Sequence, residues 1–221
     1  MGLTFNEQAH EYRLDGAVVP SVTQVLCPGG VPPWAQHGAE RGTAVHDAAH
    51  YLLENDLDES SVDPVVKPYL AAFRQWVEDV SPEILASEVA VFSPRYWYAG
   101  RLDLVARVFG RLLVIDIKTG SAVPPWADAQ VEAYRRAYEE TSTVRRVTGC
   151  RTLLLDADGR YRFRPAGGPL AWAHFQVALQ ASKEKEHAPI GDGGRDRAGS
   201  GARKRGRDTV AAAGPGAAGP R

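Results

Sequence analysis

Between Ile84 and Lys118 the chain runs through three segments dense in Val, Leu, Ile and aromatic residues. They are Ile84–Phe92, Tyr96–Val108 and Arg111–Lys118, punctuated by Pro94, Gly100 and Gly110. Runs of this composition, bounded by turn residues, predict three consecutive strands, the middle one bent at Gly100. Such a sheet must bury at least one face, and the flanking sequence supplies the cover. Upstream, His10–Leu14, Asp15-Gly16 and Ala17–Val19 read as a hairpin with an Asp-Gly turn. Ser21 is placed to cap a short helix over Val22–Leu26, and Pro28–Pro33 reads as a loop. A helix from Thr43 to Glu54 carries the apolar stripe Val45, Ala48, Ala49, Leu52, and a second runs from Val65 to Val80 with Tyr69, Phe73, Trp76 and Val77. Downstream come a helix over Trp126–Glu140, a strand over Arg151–Asp156, an Asp158-Gly159 turn, a return over Tyr161–Arg164, and a helix over Pro169–Glu186. The order predicts an α/β fold, a central mixed β-sheet flanked by helices on both sides.

The chain has 221 residues, of which 44% are apolar, enough for one self-sufficient core. Residues 191–221 are different. Sixteen of these 31 are Gly or Ala and none is aromatic, so 1–188 reads as the folded domain and 189–221 as a disordered Gly/Ala/Arg-rich basic tail. The run Arg203-Lys204-Arg205-Gly206-Arg207 lies in that tail. The tail carries +4, which leaves the body mildly acidic. A body of that sign does not coat nucleic acid, so any contact with it must be local. The 21 arginines against five lysines reflect a GC-rich coding bias and are not a DNA-binding signal. No run approaches a membrane span, and the polar N-terminus, Met1 to Gly16, does not read as a secretory signal. Cys27 and Cys150 are too few for a disulfide framework and read as free thiols in a cytoplasmic setting.

Chemistry concentrates in a few places. Asp116-Ile117-Lys118 closes the apolar run Leu112–Ile115. In a strand Asp116 and Lys118 project to one face while Ile117 returns to the core. A lysine here, in a chain that favours arginine so strongly, suggests that a compact primary amine matters. The same pair is also what a strand-end surface ion pair looks like. Asp103 sits between Leu102 and Leu104, where a charge needs a partner or a metal. Two carboxylates ~4 Å apart across neighbouring strands would repel by about 4 kcal/mol at an effective dielectric near 20. A divalent cation reverses that sign, and oxygen donors suit Mg²⁺ or Mn²⁺. Glu88 is a third carboxylate, either bordering the same site or simply exposed at an edge. His46 stands at the start of a helix. His50 lies one turn on, but Asp47 occupies the place where a zinc protease needs glutamate. Gln130 and Tyr134 share one helical face. Glycine-rich phosphate loops and nucleophile elbows are absent.

In this order, Gly42-Thr43-Ala44-Val45-His46, Glu88, Gly100-Arg101-Leu102-Asp103, Asp116-Ile117-Lys118 and Gln130 through Tyr134 resemble the PD-(D/E)XK nuclease superfamily, in its RecB-type exonuclease branch. Tyr12–Leu26, with Pro20-Ser21-Val22-Thr23, is similar to phage-encoded and mitochondrial-type members. The resemblance spans roughly residues 5–185 and implies a restriction-endonuclease-like core. It implies that His46, Asp103, Asp116 and the Ile117 carbonyl hold Mg²⁺ or Mn²⁺. By the same resemblance Lys118 activates the attacking water, and Gln130, Tyr134 and Arg41 engage the nucleic-acid strand. Glu88 joins the catalytic set. Some relatives carry a four-cysteine iron–sulfur cluster, which two cysteines cannot hold, so none is expected. The implied activity is a Mg²⁺-dependent DNA exonuclease acting on single strands or duplex ends, in recombination, repair or phage DNA processing. It would work in the cytoplasm of a bacterial or phage-infected cell. No helicase motif is present, so unwinding falls to a helicase or recombinase partner. The alternatives are a structure-specific endonuclease and an idle nucleic-acid-binding or adaptor module on the same fold.

Overall fold

The structure is a computed structural model and describes residues 2–6, 9, 11–30, 32, 35–143 and 146–187. The expected basic tail, 189–221, lies outside the described residues. Two sheets form among them. A three-stranded one joins β1 (Leu3–Asn6), β2 (Glu11–Leu14) and β3 (Ala17–Val19), all antiparallel. The second has the order β4-β5-β6-β7-β8: β4 (Glu83–Ser93), β5 (Tyr98–Val108), β6 (Arg111–Thr119), β7 (Gly149–Leu155) and β8 (Tyr161–Ala166). β4 to β6 are the three expected consecutive strands and form an antiparallel meander, whereas β7 runs parallel to β6. A parallel step needs a crossover, and α4 (Ala127–Thr141) makes it. The fold is therefore α/β with a mixed central sheet, as the residue pattern predicts.

Alternation along β6 sorts the core into two layers. Leu112 and Val114 pack with α1 (Val22–Leu26), α4 and α5 (Pro169–His187). Leu113, Ile115 and Ile117 pack with α2 (Gln36–Leu53) and α3 (Lys67–Val80), around Phe73 and Trp76. Helices thus cover both faces.

Several boundaries differ from the sequence reading. Helix α2 begins at Gln36 and not near Thr43, so His46 sits in mid-helix and not at a helix start. Residues 36–41 carry no apolar stripe, because that turn lines an open recess. β1 was not foreseen: only Leu3 and Phe5 alternate inward over its four residues. β5 passes through Gly100 as continuous strand. The irregularities lie elsewhere, in a register shift between Ile84 and Ala86 and in a left-handed backbone at Glu88 (φ 51°).

Three connections fix what surrounds the end of β6. Ser21 caps α1 in a capping box, its Oγ accepting from the Gln24 amide at 3.1 Å while Gln24 Oε1 accepts from the Ser21 amide at 2.8 Å. The Ala99 amide donates to the Pro20 carbonyl at 3.0 Å, so the N-terminal sheet is tied to the start of β5. Helix α4 is pinned from two sides. Tyr98 Oη donates to the Ala133 carbonyl at 2.9 Å, and buried Glu132 accepts from Arg135, Arg136 and the Gly168 amide.

Candidate active site

The site forms where β5 and β6 part. Their ladder ends at the pair Leu104–Ile115. Beyond it the Ile117 amide has lost its strand partner, and the Asp103 carboxylate accepts it instead, Oδ2 to N 2.5 Å. A buried amide requires such a replacement. Leu102 and Val105 both lie in the α4-side core although they are three apart, so the alternation of β5 slips around Asp103. That slip turns Asp103 toward the β6 edge, and the residue remains buried.

The other oxygen of Asp103 faces α2. His46 Nδ1 lies 3.4 Å from Asp103 Oδ1 and 3.7 Å from Glu88 Oε1. One donor atom from each of the three lies within 4.8 Å of the other two, a geometry suited to one cation. Glu88 reaches this position through its left-handed backbone, a conformation costly for a non-glycine residue and typical of functional sites. Burial opposes a charge on His46, but the Asp103 carboxylate and hydrogen bonds to Asp103 and Glu88 outweigh it, raising its pKa to about 10. Burial likewise opposes the Asp103 carboxylate, and His46 more than offsets that, so the Asp103 pKa falls. Without a metal, the imidazolium supplies the positive charge the two acids need.

Asp116 and Lys118 do project together from β6. Lys118 Nζ lies 2.8 Å from Asp116 Oδ1, to which it donates, and 2.7 Å from Oδ2. Asp116 is 1% exposed, and its Oδ2 makes no hydrogen bond. Burial, with the Asp103 charge adding to it, raises the Asp116 pKa to about 6 in spite of Lys118. Lys118 is not the solvent-facing residue its strand-end position suggests. Its side chain is 14% exposed, and Nζ stands 5.4 Å from the centroid of the Trp126 ring. Trp126 arrives from the start of α4, a contact that strand periodicity cannot reveal.

The remaining candidates surround this centre. Gln130 Nε2 donates to Tyr134 Oη at 3.0 Å, and Gln130 Oε1 is buried without a partner. Tyr134 packs so closely on β5 that a Cβ at Gly100 would lie 2.6 Å from its Cε1. The Arg41 guanidinium sits 5.0 Å from the Tyr69 ring centroid, with Nε buried and unpartnered. His50 is occupied elsewhere, Nδ1 against Ser87 Oγ at 2.6 Å and Nε2 near Glu54. Over the centre opens a recess of about 600 Å³, reached by Arg41, His46, Ile117, Lys118, Pro124 and Trp126.

This geometry can be set beside other proteins. No family model matches the chain, and no curated protein does. Solved structures are similar to it at TM-scores below 0.5. The crystal structure of LHK-Exo in complex with dAMP is similar at a TM-score of 0.44 and 11% identity, over 76% of this chain and 87% of that one. The structure of an alkaline exonuclease (LHK-Exo) from Laribacter hongkongensis gives 0.42 and 10%, over 75% and 86%. SSO0001 gives 0.41 and 16%, over 76% and 77%.

The residues present fit a divalent cation. His46, Glu88 and Asp103 offer one nitrogen and two carboxylates; Asp116, expected among the ligands, is not in that group, and its buried Oδ2, which makes no hydrogen bond, lies 2.7 Å from Lys118 Nζ. The donor chemistry is carboxylate oxygens with one imidazole nitrogen. Among the described residues, no helix is long and apolar enough to cross a membrane.

Proposed function

We propose that the protein is a metal-dependent phosphodiesterase of the PD-(D/E)XK type, a DNA exonuclease of the RecB-like branch. The observation that carries this is the adjacency of two units at the parting of β5 and β6: the His46, Glu88, Asp103 donor set and the buried Asp116–Lys118 pair. A structural ion pair would need no second acid, no imidazole and no open recess beside it.

The roles follow from position. His46, Glu88 and Asp103 would hold Mg²⁺ or Mn²⁺, and Asp116 would join them through its carboxylate, which Lys118 also contacts. An extended residue presents N–H and C=O to the same strand edge, so the Ile117 carbonyl faces the same gap as its amide. The cation supplies Lewis-acid polarisation of the phosphoryl oxygen and water activation. Lys118 Nζ, oriented by Asp116 and shielded by Trp126, holds the attacking water and donates to the charge that grows on the phosphoryl oxygens. Gln130 and Tyr134 border the strand, and Arg41 contacts phosphate from the recess wall. No iron–sulfur cluster is part of this reading. The basic run Arg203–Arg207 adds phosphate contacts whose strength falls with salt, and a helicase or recombinase supplies unwinding in DNA processing.

The test is degradation of end-labelled single- and double-stranded DNA with Mg²⁺, Mn²⁺ or EDTA, for wild type and Lys118→Met. Metal-dependent loss of label that the variant lacks supports the reading. Equal activity of the two proteins, or none with any metal, overturns it.

A further inference from the structure

One row of polar residues crosses three neighbouring strands. Asp116 on β6 is the register partner of Thr152 on β7, and Thr152 is the partner of Arg164 on β8. Register partners project to the same face of a sheet. Here that face is the α4 side. Val114 and Cys150, two residues earlier on β6 and β7, pack in the α4 layer, while Ile117 and Leu153 pack in the opposite one. Arg164 is held by Asp128 in the first turn of α4, Nη2 to Oδ1 2.7 Å. Asp116 and Thr152 are left facing each other's strand. Thr152 is 0% exposed, and its Oγ1 and Asp116 Oδ2 both lack a hydrogen-bond partner among the described residues. A valine would fill the place of Thr152 without burying an unmatched hydroxyl, so the hydroxyl calls for a reason. The two unmatched groups are complementary, since a hydroxyl donates and a carboxylate oxygen accepts. Neighbouring strands lie only about 4.8 Å apart.

We propose that Thr152 is a positioning residue of this site: its hydroxyl, one staggered step about χ1 away, donates to Asp116 Oδ2 and fixes the plane of the carboxylate that directs Lys118. The inference rests on the phosphodiesterase reading and deepens it. Lys118 Nζ stands 2.8 and 2.7 Å from the two oxygens of Asp116. Rotation of that carboxylate therefore carries the ammonium with it, away from the line of attack. A hydrogen bond from behind stops the rotation, as supporting hydrogen bonds do for other functional carboxylates. Thr152 is fully buried, so it acts through Asp116 and touches neither solvent nor nucleic acid.

The experiment compares wild type, Thr152→Val and Thr152→Ser. Cleavage is followed at saturating Mn²⁺ and labelled DNA, DNA affinity by anisotropy in Ca²⁺, and folding by thermal melts. Thr152→Val should cleave about tenfold slower or more, with DNA affinity unchanged and a melting temperature no lower than wild type. Thr152→Ser keeps the hydroxyl and should recover most of the rate. An independent readout is proton NMR of threonine-labelled protein: a Thr152 hydroxyl resonance protected from exchange should be present in wild type and displaced in Asp116→Asn. A Thr152→Val protein as fast as wild type, or a hydroxyl resonance indifferent to Asp116→Asn, overturns the positioning role. If wild type nonetheless cleaves, the nuclease reading stands without it. A wild type that cleaves no DNA with any metal overturns both.

Discussion

Asp103 accepts the Ile117 amide at 2.5 Å across the gap where their strands separate. One carboxylate thereby closes a broken ladder with one oxygen and offers the other to His46 at 3.4 Å. Structure and chemistry are coupled in this residue. Asp103→Asn can present either its carbonyl or its amino group to Ile117, but it removes the charge that holds the imidazolium. Asp103→Ala also leaves the Ile117 amide unpaired in a buried place, which costs about 1–3 kcal/mol. The alanine variant should therefore melt lower than the asparagine variant, with both inactive. Equal melting temperatures would show that the amide has another acceptor.

Asp116 should be a residue whose loss stabilises the metal-free protein. Its pKa is about 6 in the fold, against about 3.9 in an unfolded chain. Between those values the folded protein retains a proton that the unfolded chain has released. Stability is therefore full below about pH 4 and declines as pH rises through about 6. Asp116→Asn escapes that decline. In EDTA, the variant should exceed wild type by about 1–3 kcal/mol at pH 7.5 and by much less at pH 4, as chemical denaturation would show. It should not cleave.

Lys118→Met removes the cation beside Asp116, and the sequence alone would suggest little structural cost. The burial of both groups changes that expectation. At pH 7.5 the variant should lose about 1–3 kcal/mol, a loss capped because Asp116 can take up a proton. At pH 5 Asp116 is already protonated in the fold, so the loss should shrink. A pH-independent loss would mean that the lysine stem, packed near Trp126, and not its charge, accounts for the stability.

Gly100 and Gly42 both belong to the motifs singled out from the sequence, yet only one is sterically required. A methyl at Gly100 would meet the Tyr134 ring at 2.6 Å, so Gly100→Ala must displace a buried aromatic beside the site. It should cost about 1–3 kcal/mol and most of the activity. At Gly42 the nearest neighbour of a new methyl is Thr119 Oγ1, at 3.6 Å, an ordinary contact. Alanine there should leave stability unchanged or raise it by about 0.5–1 kcal/mol, since Gly42 lies within a helix. Thermal melts of the two variants separate the cases.

How much of this was legible beforehand depends on how local each signal is. The strands β4 to β8 were, because alternation and turn residues are written within each segment. The projection of Asp116 and Lys118 to one face was also legible, since strand geometry dictates it. The first turns of α2 were not: Gln36–Arg41 has no apolar stripe to mark a helix. Nothing in Ser87-Glu88-Val89 announces the left-handed backbone that turns Glu88 to His46. The burial of Lys118 depends on Trp126, brought from the next helix by a crossover.

The most direct measurement is Mn²⁺ binding by the wild-type protein, followed by electron paramagnetic resonance and by calorimetry in buffers of different ionisation enthalpy. A metal at His46, Glu88 and Asp103 must expel the proton that His46 holds with a pKa of about 10. Binding should therefore release close to one proton near pH 7.5, tighten as pH rises toward 9, and weaken at least tenfold in Asp103→Asn and in His46→Ala. Absence of a bound Mn²⁺, or binding that releases no proton and ignores both substitutions, would contradict a metal centre at this place.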